Sequence, residues 1–229
     1  LQRAYDMLIH DISLQRLHVV FCVDRAGLVG SDGETHHGSF DLSYLSSVPY
    51  MQILCPASFA ELERMLDMAV NEMDGPVAIR YPRGGEGIYR GCEIAPSVKL
   101  LDGKDITLAA YGTTINTMLG LADKLKDQGI SADVIKLSSL HLHPYDDVLA
   151  SLKKTGVFLM AEEVCDSACV ADGILAAAER NGITLKAAYN ANLGSGVVVH
   201  GSVDELRRHC GLDTDSLFEE ACRLVRGEK

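Results

Sequence analysis

The sequence lacks an apolar run long enough to cross a membrane, and it is short of basic residues. No stretch approaches the ~18 apolar residues that a membrane span needs, and no signal peptide is visible. Lysine and arginine total 21 against 32 aspartates and glutamates, so the net charge is −11. Because such a charge does not attract nucleic acid or an anionic membrane as a main partner, we expect neither.

A disulfide framework and a metal-binding motif are also missing. The seven cysteines, an odd number at scattered spacings, are typical of reduced thiols in a cytosolic protein, so we expect a cytoplasmic location. Cys165 and Cys169 could be half of a metal site, but no complementary Cys/His pair accompanies them. His141 and His143 precede Pro144 and two aspartates, which favours a helix start at Pro144 over a metal-binding pair. We therefore predict no metal ligands in this chain.

What is present is a globular composition in which buried strands and amphipathic helices alternate. Hydrophobic residues make up 47% of the chain and charged residues 23%, so disorder is not indicated. Short apolar runs at 17–24, 51–56 and 76–82 predict parallel strands buried on both faces. Between the last two runs, Ser58 and Glu61 form a capping-box pattern that opens a helix. Its predicted buried stripe consists of Phe59, Leu62, Leu66, Ala69 and Met73.

A second α/β series follows a stretch rich in glycine and polar residues. This stretch, residues 83–104, has no periodicity and is typical of an interdomain linker, so we place a boundary near residue 95. The predicted strands are 105–111, 132–138, 156–163 and 184–189, and the predicted helices lie near 113–128, 144–154, 169–181, 202–210 and 215–226. The fold class predicted is two α/β domains with mainly parallel sheets, residues 1–95 with the linker and residues 96–229.

The first residues indicate a chain that continues a longer one. Apolar side chains of residues 1–12 fall on one helical face, yet no capping residue and no initiator methionine precede Leu1. We expect the chain to be a fragment of a longer protein.

Two glycine-rich segments at predicted strand ends carry the candidate site. Residues 24–38, "DRAGLVGSDGETHHG", contain Arg25, and residues 81–87, "YPRGGEG", contain Arg83. Ligands of open α/β sheets bind outside the carboxyl ends of the strands, and arginine suits phosphate or carboxylate. The pattern favours one anion pocket with two arginines, although a single loop of this kind is more often a solvated turn.

Several of these segments resemble a known family. "LQRAYDMLIHD", "DRAGLVGSDGETHHGSFDLSYL", "GPVAIRYPRG" and "YGT" are similar, in this order, to the carboxy-terminal part of the 1-deoxy-D-xylulose-5-phosphate synthase family, thiamine-diphosphate enzymes of the transketolase superfamily. The resemblance implies the latter part of a pyrimidine-binding domain followed by a transketolase carboxy-terminal domain. A departure follows Glu162 and Glu163, where "EEVCDSACVADG" replaces a glycine-rich helix start.

The resemblance also implies roles for individual residues. Arg25 and Arg83 match the arginines that hold the phosphate of D-glyceraldehyde 3-phosphate. Asp32 and His36 match catalytic residues that handle substrate and transfer protons, and histidine suits proton transfer near neutral pH. Arg3 matches a cofactor-binding arginine near the pyrimidine end of the cofactor.

For the whole enzyme, the resemblance implies condensation of pyruvate with D-glyceraldehyde 3-phosphate, with loss of carbon dioxide. Thiamine diphosphate and Mg²⁺ would be the cofactors of a full-length homodimer. "SDG" at 31–33 lacks the asparagine that follows the metal motif of the family, and the activating glutamate and stacking aromatic residue would lie before Leu1. We therefore expect this fragment to bind no cofactor alone, to be inactive and to need the missing amino-terminal part. The alternatives are a non-catalytic dimerisation or binding module and a β-type subunit of a 2-oxo acid dehydrogenase.

Overall fold

A three-stranded parallel sheet forms the first half of the computed structural model, which describes residues 1–141 and 144–228. Its strands are β1 (Val19–Val23), β2 (Gln52–Leu54) and β3 (Pro76–Arg80), in the order β1-β3-β2. β3 is buried along its whole length, as expected for a central strand of parallel pairs. The three predicted strands are therefore confirmed in one sheet, but burial on both faces is wrong for β1, an edge strand whose residues are half-buried or exposed.

The second half contains a five-stranded sheet in the order β4-β6-β5-β7-β8. The strands are β4 (Ser97–Leu101), β5 (Ile106–Tyr111), β6 (Ala132–Leu137), β7 (Val157–Ala161) and β8 (Ala187–Ala191). All pairs are parallel except β4 with β6. β4 corrects the expectation of an unstructured linker over 83–104. It is an edge strand paired with β6 and is mostly half-buried or exposed, so it lacks the continuous apolar run by which the buried strands were predicted.

Eight α-helices cover the sheets within the described residues. They are α1 (Tyr5–Met7), α2 (Asp41–Ser46), α3 (Phe59–Asn71), α4 (Ile115–Asp127), α5 (Asp146–Thr155), α6 (Val170–Arg180), α7 (Val203–His209) and α8 (Thr214–Arg226). α1 continues into a π-helical segment, Leu8–Ser13, so the predicted helix at the start is present. The sequence suggested that α5 starts at Pro144, but the helix begins two residues later, at Asp146. His143 lies outside the described residues. None of the helices described is long and apolar enough to span a membrane.

Helix α3 turns only part of the predicted stripe inward, together with a glutamate. Phe59 and Leu66 of the predicted stripe are 59% and 41% exposed, whereas Ala69 is buried and Leu62 and Met73 are partly buried. Glu61 and Met65, which are not in the predicted stripe, are also buried. The helix is thus rotated so that a glutamate points into the protein. The predicted stripe is therefore right for Leu62, Ala69 and Met73 and wrong for Phe59 and Leu66.

A buried ion pair between the two halves explains the rotation. Glu61 Oε1 accepts hydrogen bonds from Lys136 Nζ of β6 at 2.6 Å and from the Tyr89 hydroxyl at 2.7 Å. Glu61 Oε2 accepts the Ala57 N–H at 2.8 Å. Ser58 caps the helix by accepting the Glu61 N–H at 3.1 Å, but the glutamate side chain does not reach back to complete the predicted capping box. The carboxylate is instead used to join α3 to β6.

The two sheets share one apolar core. A single cluster contains Ile53 and Ala78 of the first sheet together with Ala109, Ile135 and Phe158 of the second. This packing brings loops of the second half against the carboxyl edge of the first sheet. The predicted domain boundary near residue 95 lies between β3 and β4 and stays a prediction.

Candidate functional site

The two arginine-bearing segments leave the same edge of the first sheet. β1 and β3 are parallel neighbours, so their carboxyl ends lie side by side. Their pairing continues beyond the strands, since the Tyr81 N–H donates to the Val23 carbonyl at 3.1 Å and the Ala26 N–H donates to the Tyr81 carbonyl at 3.0 Å. Residues 24–38 and 81–87 therefore start within hydrogen-bonding distance of each other.

A narrow neck closes the first segment into a loop. Gly27 and Gly38 exchange two backbone hydrogen bonds, of 3.0 and 2.8 Å. A Cβ on Gly38 would lie 2.2 Å from the carbonyl oxygen of Arg25, so only glycine allows this approach. The neck fixes where residues 28–37, called here the site loop, begin and end.

Residues 24–38 and the second segment bring three charged side chains together. The Arg25 Nε donates to Asp32 Oδ2 at 3.1 Å, and Arg83 Nη1 contacts the other oxygen, Oδ1, of the same carboxylate. Arg25 also pairs with Asp24, whose Oδ1 accepts the Arg25 N–H at 2.8 Å and stabilises its left-handed backbone at φ +63°. Two guanidinium groups thus face one acidic group, as they would around a bound anion.

The electrostatics of this cluster favour the charged forms. Hydrogen bonds from Arg25 and then Arg83 lower the pKa of Asp32 below its ordinary value. The pKa of Arg25 is raised, chiefly by its hydrogen bond to Asp32 and then by the charge of Asp24. Both arginines stay partly accessible, with side chains 42% and 47% exposed, so a ligand from solvent can reach them.

The other residues expected at the site lie apart from this cluster. His36 is exposed, and its Nδ1 lies 3.0 Å from Thr35 Oγ1. Arg3 lies in an exposed turn at the start of the chain. Within residues 1–141 and 144–228, neither side chain makes a hydrogen bond or ion pair with Arg25, Asp32 or Arg83.

A largely apolar cleft adjoins Arg83. Its volume is about 320 Å³, and it lies between the end of β3 and the start of α3. Pro56, Phe59 and Leu62 line one side, and Asp24 and the glycine-rich segment after Arg83 line the other. The cleft therefore places the guanidinium group of Arg83 next to an apolar space, with the carboxylates of Asp24 and Glu86 also on its lining.

Two residues that sequence reasoning did not assign to the site hold the loop from behind. The buried Arg80, the last residue of β3, donates to Asp41 at 2.7 Å and to the Gly38 carbonyl at 2.9 Å. Glu163, which follows β7 in the second half, accepts the Leu28 N–H at 3.0 Å. The only sequence signal for Glu163 was its place in a pair of glutamates after a buried strand.

Among the residues described, no group of three His, Cys, Asp or Glu side chains could hold a metal ion.

Two family models match this chain. The transketolase pyrimidine-binding domain matches residues 1–85, and the transketolase C-terminal domain matches residues 97–217, which is more than half of the chain. The chain belongs to the transketolase family. The family resemblance seen in the sequence is confirmed, and so is the predicted fold class of two α/β domains with mainly parallel sheets.

The curated members of the transketolase family that resemble this chain include proteins named 1-deoxy-D-xylulose-5-phosphate synthase. The protein from Chlorobaculum tepidum is 42% identical over 232 residues, which cover 95% of this chain and 35% of that protein. The protein from Thermosynechococcus vestitus is 36% identical over 226 residues, covering 96% of this chain and 35% of the relative. The chain thus spans about a third of the length of these relatives.

Solved transketolase structures share the fold. A structure described as a split-gene transketolase, an inactive β4 tetramer, has a TM-score of 0.88 at 23% identity and covers 99% of this chain and 73% of its own. A transketolase mutant from Pichia stipitis has a TM-score of 0.72 at 18% identity, with 95% of this chain and 32% of the other covered. At these identities the two structures establish the architecture and not the activity.

Proposed function

We propose that this chain is the carboxy-terminal part of a 1-deoxy-D-xylulose-5-phosphate synthase, an enzyme that condenses pyruvate with D-glyceraldehyde 3-phosphate and releases carbon dioxide. The observation that carries the proposal is the convergence of Arg25 and Arg83 on one carboxylate at adjacent strand ends. The names of the curated relatives, 1-deoxy-D-xylulose-5-phosphate synthase, support the same proposal. In this proposal the chain supplies the aldehyde-phosphate side of the active site.

The proposed roles follow from the chemistry of the side chains. Arg25 and Arg83 bind the phosphate through charge-assisted hydrogen bonds, which are stronger than neutral ones. Asp32 keeps the two guanidinium groups together before the substrate arrives, and phosphate oxygens then take over part of its bonds. His36, on the exposed part of the site loop, transfers protons to and from the substrate oxygens.

Thiamine diphosphate supplies the carbanion chemistry of this enzyme class when it is bound, and Mg²⁺ accompanies its diphosphate. The "SDG" sequence at 31–33 does not fit the metal, because both oxygens of Asp32 already face guanidinium groups that repel a cation. We therefore assign the metal and the diphosphate to residues outside this chain. Only Arg3 is proposed to approach the cofactor, at its pyrimidine end.

We further propose that the chain is inactive alone and works in a homodimeric assembly with the amino-terminal part of the enzyme, in the cytoplasm. The chain spans about a third of the relatives, and a structural neighbour that matches 99% of this chain is described as a split-gene transketolase, an inactive β4 tetramer. All seven cysteines are free, as in a reducing compartment.

Alanine substitution of each arginine tests the proposal in the complete enzyme. Loss of a charge-assisted contact is expected to raise KM for D-glyceraldehyde 3-phosphate by roughly tenfold to a hundredfold in Arg25→Ala and Arg83→Ala, with KM for pyruvate nearly unchanged. Arg64→Ala is the matched control, because Arg64 also contacts two carboxylates but lies on α3 outside the cluster. Equal effects on both substrates would exclude the phosphate role.

The same measurements separate the alternatives. A non-catalytic module would give no turnover when the chain is combined with an amino-terminal part. A β-type subunit of a 2-oxo acid dehydrogenase would decarboxylate its oxo acid without dependence on an aldehyde phosphate. No present observation favours either over the synthase.

A further inference from the structure

Glu163 connects the second half of the chain to the loop of the first half. It follows β7, and its side chain is only 8% exposed. Its Oε2 accepts the N–H of Leu28 at 3.0 Å, and its Oε1 accepts Arg207 Nε at 2.7 Å. The carboxylate therefore has a partner on each oxygen, one in the site loop and one in α7.

The Glu163 carboxylate packs directly against the neck of the site loop. Gly27 adopts φ +78°, and a Cβ there would lie 2.3 Å from Glu163 Oε2. On the other side of the neck, Arg80 Nη2 donates to the Gly38 carbonyl at 2.9 Å and to the Glu163 carbonyl at 3.4 Å. Glu163 thus contacts the neck directly through its side chain. Its backbone carbonyl also shares Arg80 as a donor with the Gly38 carbonyl.

Arg207 makes this arrangement specific to a carboxylate. A buried carboxylate needs charge compensation, and Arg207 provides it while fixing the orientation of the carboxyl group. The oxygen that remains points at Leu28, three residues after Arg25. The position of the Leu28 N–H consequently depends on a residue 135 positions away in the chain.

We propose that Glu163 is a positioning residue that sets the site loop, and through it Arg25 and Asp32, in the geometry that binds phosphate. This inference rests on the proposed function of Arg25 and Arg83. Glu163 does not touch the substrate. It holds the backbone from which the Arg25–Asp32 pair projects, so that the guanidinium groups are aligned before a ligand arrives.

Glu163→Gln is the decisive variant, with Glu162→Gln as its matched control. The amide keeps the size of the side chain but replaces one oxygen by an NH2 donor, so Leu28 N–H and Arg207 Nε can no longer each meet an oxygen of their own. Glu162 is the neighbouring buried carboxylate, and it accepts the N–H groups of Val170 and Ala171 in α6 instead of any group in the loop. A general effect of exchanging a buried glutamate for glutamine would be the same in both variants.

The first readout is amide hydrogen exchange of the 229-residue chain, followed by NMR. We expect Leu28 to exchange about tenfold faster in Glu163→Gln, with Val170 and Ala171 unchanged, and the reverse pattern in Glu162→Gln. Unchanged exchange of Leu28 in Glu163→Gln would overturn the inference. This readout requires no catalytic activity.

The second readout is binding of inorganic phosphate to the same chain, measured by titration. Glu163→Gln is expected to weaken phosphate binding about tenfold and Glu162→Gln less than about twofold, and the complete enzyme should show the first change in KM for the aldehyde phosphate alone. Equal weakening in both variants, or none in Glu163→Gln, would overturn the positioning role. If the wild-type chain bound no phosphate while Leu28 exchange rose, the proposed function would be refuted and Glu163 would remain the residue that positions the loop.

Discussion

Replacing Glu162 by glutamine should remove a pH dependence of stability that this one carboxyl group creates. Glu162 is fully buried at the start of α6, where its oxygens accept the Val170 N–H at 2.8 Å and the Ala171 N–H at 3.0 Å. Burial raises its pKa from 4.5 to about 7, and the two backbone hydrogen bonds offset only part of this effect. Between pH 4.5 and about 7, the folded protein therefore keeps a proton on Glu162 that the unfolded chain has already released.

The sign and size of the effect follow from this difference. Because the pKa of Glu162 is higher in the folded state than in the unfolded chain, this group contributes its full stabilisation below pH 4.5. The stabilisation is lost as the pH rises through about 7. At about 1.4 kcal/mol per pH unit, the interval corresponds to a loss of about 3 kcal/mol. Other groups titrate in the same range, so the quantity of interest is the difference in unfolding free energy between wild type and Glu162→Gln.

Urea denaturation of both proteins at several pH values from 4.5 to 7.5 measures this difference. The wild type should lose about 3 kcal/mol relative to the variant across the interval, because glutamine does not titrate. Equal slopes for the two proteins would refute the reasoning, since they would mean that the start of α6 keeps the carboxylate ionised throughout. A difference of opposite sign would show that the pKa is lowered by the helix.

Two further substitutions test how the halves and the loop are held. Lys136→Met leaves Glu61 as an unpaired buried charge and should cost about 3–5 kcal/mol of unfolding free energy, measured by urea denaturation. Adding Glu61→Gln should recover much of that loss, because the uncompensated charge disappears. Gly38→Ala would place a Cβ 2.2 Å from the Arg25 carbonyl, so we expect about 1–3 kcal/mol of destabilisation and weaker phosphate binding.

Each of these predictions has an outcome that contradicts it. If Lys136→Met cost less than about 1 kcal/mol of unfolding free energy, the ion pair would not join the halves as described. The same would follow if the loss in the double variant equalled the sum of two large losses in the single variants. Gly196→Ala is the control for Gly38→Ala, since a Cβ there meets no atom within 4 Å. Equal losses in the two glycine variants would show that the neck tolerates a side chain.

The sequence by itself determined the three strands of the first sheet, four of the five strands of the second, and the two arginines at adjacent strand ends. Strands buried on both faces are recorded locally, as apolar runs of the right length, and the turns that follow them are marked by glycine. Arg25 and Arg83 could be placed at one sheet edge because neighbouring parallel strands end together. The same segments carry the family resemblance, so fold and candidate site were accessible without coordinates.

Only the tertiary structure decided which partners these elements meet. α3 turns Glu61 inward because its partner Lys136 lies 75 residues away, and no spacing within the helix records that pairing. β4 is a strand because β6 offers it an edge, and Glu163 belongs to the site because the halves pack with Leu28 against its carboxylate. Burial leaves a periodic signal along the chain, whereas a hydrogen bond between distant residues depends on the packing of whole elements and leaves none.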